Sequence, residues 1–171
     1  MKRTFTYLAA GLLALSLTAC SKPADTAGSN TTNTTDKTTE TAKTGTAVDY
    51  GRQLEDAFSD KGYQITDKDS EGDEFSFEAV NDLGRLEISV ETGNAQADYN
   101  EAVSSFTDED FFEEQTWSSS QGYQMTSYLN SMNTIYNIAA MDTTHDVFYE
   151  IEDIAEADKD QVVEIMNSIG F

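Results

Sequence analysis

Residues 67–78 read "DKDSEGDEFSFE", and five of them fall where an acidic calcium-wrapping loop needs them: Asp67, Asp69, Glu71, Gly72 and, in twelfth place, Glu78. Oxygen ligands at places one, three, five and twelve suit a hard divalent cation, and a glycine at place six permits the sharp turn. Such a loop is flanked by helices. Here "YQIT" precedes and "EFSFEAV" follows, both alternating as half-buried strands do, and the eighth place holds the charged Glu74. A hairpin explains more of the stretch. With Ser70, Glu71 and Gly72 as its loop, Tyr63 meets Ala79 and Ile65 meets Phe77 on one face, while Gln64 meets Glu78, Thr66 meets Ser76 and Lys68 meets Glu74 on the other. That register sets Glu78 on the opposite face from Asp67 and Asp69, where it cannot close a coordination shell. Calcium remains the alternative, held weakly by Asp67, Asp69, Glu71 and Asp73 at the tip; otherwise no cofactor is expected.

The next hairpin turns through "NDLG" at 81–84 and directs Leu86, Ile88 and Val90 to the buried face. It leaves Glu87 and Glu91 on the outer face beside Glu78 and Glu74. Like charges facing one another across strands are destabilising. Glu74, Glu78, Glu87 and Glu91 are therefore either an idle solvated surface or a candidate surface for a basic partner. Carboxylate pairs also cleave glycosides, but among 32 Asp and Glu no particular pair stands out. His145, the one histidine, reads as the tip of a hairpin loop in "DTTHD". Trp117, the one tryptophan, stands in the polar stretch "QTWSSSQG", placed to plug the end of the core or to stack on a sugar, and joins the four glutamates as a possible partner surface. Tyr128 and Tyr136 either extend such a surface or pack between strands. Neither a glycine-rich phosphate loop nor a zinc-ligand cluster nor a nucleophile-elbow pattern is present, so no catalytic residue is assigned.

Helices must hold these strands in place. Tyr50, Leu54, Ala57 and Phe58 share one helical face before Gly62; Ala95, Tyr99, Ala102, Val103 and Phe106 form a second stripe behind Asn94 as cap. A third stripe comprises Val162, Ile165, Met166 and Ile169, with Asp158 and Gln161 as a capping pair. Strands are expected at about 63–69, 73–80, 85–91, 122–129, 134–141 and 147–155, and "TDEDFFEEQ" reads as a short helical turn. A repeated "GYQIT" and "GYQMT" at 62–66 and 122–126 hints at two similar halves. The expected fold is α+β: an antiparallel sheet of about six strands with helices packed mainly on one face, in the order helix, three strands, helix, three strands, helix.

The amino terminus, "MKRTFTYLAAGLLALSLTAC", has a basic start, an apolar stretch too short to span a bilayer, and small residues ahead of Cys20. Leu17-Thr18-Ala19-Cys20 resembles the lipobox of bacterial lipoproteins. The resemblance implies a cleaved signal at 1–19 and a diacylated Cys20, the only cysteine. Two acyl chains hold a protein on a membrane durably. Residues 21–46 contain no aromatic residue and no Leu, Ile, Val or Met, so 20–46 reads as a lipidated, disordered Thr-rich tether with a reach of roughly 25 to 30 Å. Residues 47–171 form the single acidic domain.

Net charge is -22 before Lys2 and Arg3 leave with the signal, so nucleic acid is excluded as a partner by repulsion. The sequence thus points to a lipid-anchored protein on the outer face of the cell membrane that binds an envelope protein or wall component. An envelope hydrolase using a carboxylate pair and a weak divalent-cation binder are the alternatives.

Overall fold

The computed structural model describes residues 45–171; Cys20 and the rest of the expected signal and tether, Gly45 and Thr46 excepted, lie outside the described residues. The elements are α1 (Ala47–Asp60), β1 (Gln64–Glu71), β2 (Glu74–Asn81), β3 (Gly84–Thr92), α2 (Ala95–Asp108), β4 (Phe112–Ser118), β5 (Tyr123–Asn130), β6 (Ile135–Asp142), β7 (Val147–Ala155) and α3 (Lys159–Ser168), the last preceded by a 3₁₀ turn at Glu156–Asp158. One antiparallel sheet runs β1-β2-β3-β7-β6-β5-β4. The fold is α+β as expected, with seven strands rather than six. The additional strand is β4, read from sequence as a helical turn and a polar loop. It lies at the sheet edge with most of its residues exposed, so no apolar alternation marks it.

Two helices share the front face. Leu54 and Phe58 of α1 and Val162, Ile165 and Met166 of α3 close over Phe77, Ile88, Tyr149 and Ile151, each at most 5% exposed. The third helix lies behind: Tyr99, Ala102 and Phe106 of α2 cover Tyr128, Ala139, Met141 and Phe148. Phe148 and Tyr149 are consecutive and point to opposite faces, as strand geometry requires. β6 is accordingly buried almost throughout, whereas β2 and β3 alternate. The back of β2 and β3 has no helix over it. The repeated pentapeptides open β1 and β5, which hold mirrored places about the β3–β7 seam, yet α1 and α2 sit on opposite faces. A rotation that superposed the strands would not superpose the helices.

Each helix ends by the same device. Gly62, Asp110 and Gly170 take positive φ, and the next residue returns its N–H to the carbonyl five back: Tyr63 to Phe58 (3.2 Å), Phe111 to Phe106 (2.9 Å), Phe171 to Met166 (3.2 Å). These are Schellman ends, each delivering an aromatic ring onto the helix it terminates or the sheet beside it. Starts differ from expectation. Thr46 and Asp49 form a capping box on α1, which the sequence reading did not identify. Asn94 makes no side-chain cap; Asp146 in the β6–β7 turn accepts the Ala95 N–H instead, at 2.9 Å. Asp158 turns inward to accept from Asn81 Nδ2 (2.9 Å), and Gln161 reaches the Lys61 carbonyl, so the anticipated capping pair does not form.

Gly51 is the tightest approach of α1 to the sheet: a Cβ there would sit 2.1 Å from Cδ1 of Phe75. Alanine is the better helix former by up to about 1 kcal/mol, but the clash lies near the base of a packed ring and cannot be relieved by a side-chain tip. Gly51→Ala is expected to lower stability by about 1–3 kcal/mol, measured by urea unfolding; a stabilised variant would show that α1 rides looser than its packing implies.

Candidate functional site

The first hairpin differs from the expected register. β1 and β2 pair Gln64 with Val80, Ile65 with Ala79 and Thr66 with Glu78, then shift by one residue before Asp69 meets Ser76 and Glu71 meets Glu74. The loop is Gly72-Asp73 alone, with Gly72 at φ 64°. A bulge at Asp67 (φ 46°) and Lys68 absorbs the difference and reverses which way those side chains face. Lys68 therefore reaches Glu55 on α1 rather than Glu74. Asp67 comes to the same side as Glu78, contrary to the expected separation: burial and then a hydrogen bond from Asp67 raise the Glu78 carboxyl, against the pull of Arg85. Asp69 spends Oδ1 on the Ser70 N–H. Among the described residues no three or more His, Cys, Asp or Glu side chains are grouped as a metal ion would need.

The second hairpin matches expectation. Asn81 pairs with Gly84, Glu78 with Glu87 and Glu74 with Glu91. What the sequence did not reveal is the next strand. β3 pairs with β7, setting Glu87 opposite Glu152 and Ser89 opposite Glu150. Six glutamates from three strands thus share the bare back face, with α2 rising beside them. Burial, followed by Asp98 and Glu74, pushes Glu91 up to about 7. Glu150 sits where α2's cover ends; burial, followed by Glu152 and Glu91, pushes it up to about 8. Glu101 of α2 adds to both. Burial and its acidic neighbours Asp69 and Asp73 raise Glu74 as well. Arg85 offsets one corner, with its guanidinium 3.1 Å from Glu78 and 3.5 Å from Glu87. Glu152 accepts from Asn137 Nδ2 at 3.3 Å. The arrangement is an acidic shelf: a glutamate floor on β2, β3 and β7 and a wall that includes Asp98 and Glu101.

Of the sequence candidates, Glu74, Glu78, Glu87 and Glu91 are brought together and Trp117 is not. Trp117 lies on β4 and packs against the front core, at a cleft of about 210 Å³ between β4, β5 and the end of α3. Tyr128 and Tyr136 are no recognition surface, being 4% and 6% exposed: Tyr128 packs on Phe106, and Tyr136 lies 4.7 Å beneath the Lys159 ammonium. His145 is held by Asp142, whose Oδ2 is 2.5 Å from Nδ1 and whose Oδ1 accepts the Thr144 and His145 N–H groups. That geometry fixes a turn. The missed residues, Glu150 and Glu152, alternate with Tyr149 and Ile151 in "FYEIED", so their facing was legible but their neighbours were not.

No helix among the described residues is long and apolar enough to cross a membrane. Compared with protein-family models, curated proteins and solved structures, the chain matches none.

Proposed function

We propose that this protein is a lipid-anchored, extracytoplasmic binding module that holds a basic envelope protein, or a cationic wall component, against the acidic shelf. One observation supports it above others: like-charged pairs Glu74–Glu91, Glu78–Glu87 and Glu87–Glu152 run across a face that no helix covers. Such pairs cost folding stability, and a cationic partner is what would recover it. Polyanions meet a surface of their own sign. Membrane attachment rests on the lipobox resemblance at Leu17 to Cys20.

The test uses the mature chain and a labelled peptide of about ten lysines. Binding is expected with a Kd in the micromolar range at about 50 mM salt and at least tenfold weaker at about 500 mM. Reversing two floor charges, Glu87→Lys with Glu152→Lys, is expected to weaken it about 100-fold without lowering the melting temperature. Undiminished binding by that variant would rule the shelf out, and an unmodified Cys20 in the mature chain's mass would remove the anchor.

The raised carboxyls of Glu91 and Glu150 favour one rival, a hydrolase with a carboxylate pair. Such an enzyme encloses its substrate, and the shelf is open. A hydrolase would turn over an envelope glycan and lose that turnover in Glu150→Gln, whereas a binding module shows no turnover in either form.

A further inference from the structure

In a chain with 32 acidic and 10 basic residues, the cleft beside Trp117 is lined by no charged side chain. Its walls are the rings of Trp117, Tyr123 and Phe171, and buried Met125 lies between them. Exposed Asn167 and Ser119 stand at its rim. The walls are well braced. The Schellman end of α3 sets Phe171, whose ring meets Tyr123 edge-on at 5.3 Å and Tyr149 edge-on at 5.2 Å. Trp117 is only partly exposed and packs on the core, so stacking on it freezes little extra motion.

The polar rim is placed to bind hydroxyls. Asn167 Nδ2 donates to the Val163 carbonyl at 2.8 Å, which leaves Oδ1 to accept. Ser119 Oγ accepts the Gln121 and Tyr123 N–H groups at 3.3 and 3.4 Å, which leaves its O–H to donate. No lining side chain supplies a counter-charge to an ion. A wholly apolar ligand would leave the amide and hydroxyl unsatisfied. The volume, about 210 Å³, lies below the ~300–1,000 Å³ of pockets for drug-sized molecules and suits a single ring.

We propose that this cleft is a subsite for one uncharged pyranose ring of a glycan, its C–H face against the aromatic wall and its hydroxyls on Asn167 and Ser119. The site lies on the front of the sheet and the acidic shelf on the back, so it goes beyond the basic-partner reading and neither depends on the other.

Trp117, the sole tryptophan, reports directly on occupancy. The mature chain is titrated with N-acetylglucosamine, glucose and glucuronate while its emission is followed. A saturable change is expected with a Kd of about 1–10 mM for a neutral sugar, at least tenfold weaker for the anionic glucuronate. Asn167→Ala is expected to weaken neutral-sugar binding about five- to tenfold with melting unchanged. Failure of both neutral sugars to saturate by about 100 mM would overturn the assignment, as would sugar binding indifferent to Asn167 or saturable binding of a proline-rich peptide where sugars give none. The wild-type titration decides even if the variant fails to fold, and oligolysine binding by the same chain separates this failure from failure of the shelf.

Discussion

Between about pH 9 and pH 5.5 the domain gains roughly 3 kcal/mol of stability and melts about 10 °C higher, because Glu150 and Glu91 take up protons that their unfolded counterparts would not. Both carboxyls are raised in the folded chain, to about 8 and about 7 against an ordinary 4.5. A raised acid binds its proton more tightly folded than unfolded. Stability therefore rises as pH falls through the folded values and stops rising near the unfolded one. Both side chains retain contact with solvent, and water screening together with their mutual repulsion holds the gain to that size. Below about pH 4.5 the trend reverses, because the Lys159 ammonium and Ser127 hold Glu114 below its ordinary value and the Thr46 N–H does the same for Asp49. Glu150→Gln keeps the shape and removes the charge. It is expected to stabilise the chain by about 2 kcal/mol near pH 9, to change little near pH 5, and to flatten the profile between. Melting curves across the pH series read this directly; a wild-type profile already flat from pH 6 to 9 would show that the shelf is well hydrated and its charges are not in conflict.

Phe58→Ala is expected to cost about 3–5 kcal/mol, a large share of the roughly 5–15 kcal/mol that holds a domain of this size. Phe58 has no exposed surface and meets Tyr63 at 5.0 Å and Phe77 at 6.1 Å, both edge-on. It also lends its carbonyl to the Tyr63 N–H that ends α1, so one ring joins the helix, its terminus and the sheet. Chemical denaturation of the variant measures the loss. A cost below about 1 kcal/mol would mean that Tyr63 and Phe77 collapse into the space, which the edge-on arrangement makes difficult.

Much of the shelf was readable locally. The pairing of Glu78 with Glu87 and of Glu74 with Glu91 follows from the turn at Asn81 to Gly84 and the period-two pattern on either side, both contained within about twenty residues of chain. The neighbouring hairpin defeated the same reasoning because the bulge at Asp67 leaves no mark in residue type. A polar run of Thr66 to Glu71 looks alike with or without an extra residue. β4 was missed for a related reason, as an edge strand that packs little carries little pattern.

Composition and short-range spacing, then, determined by themselves the acidic character, the three apolar helix stripes and the α+β class, since each depends on residues close together in the chain. Only tertiary structure decided that β3 lies against β7, and so that Glu150 and Glu152 join glutamates some sixty residues earlier. It also decided that α2 lays its apolar side behind β5, β6 and β7, so that the glutamates of β2 and β3 receive no such cover. Strand order and helix side are settled by which apolar faces fit together over long stretches of chain. Local residue preference contains no term for that.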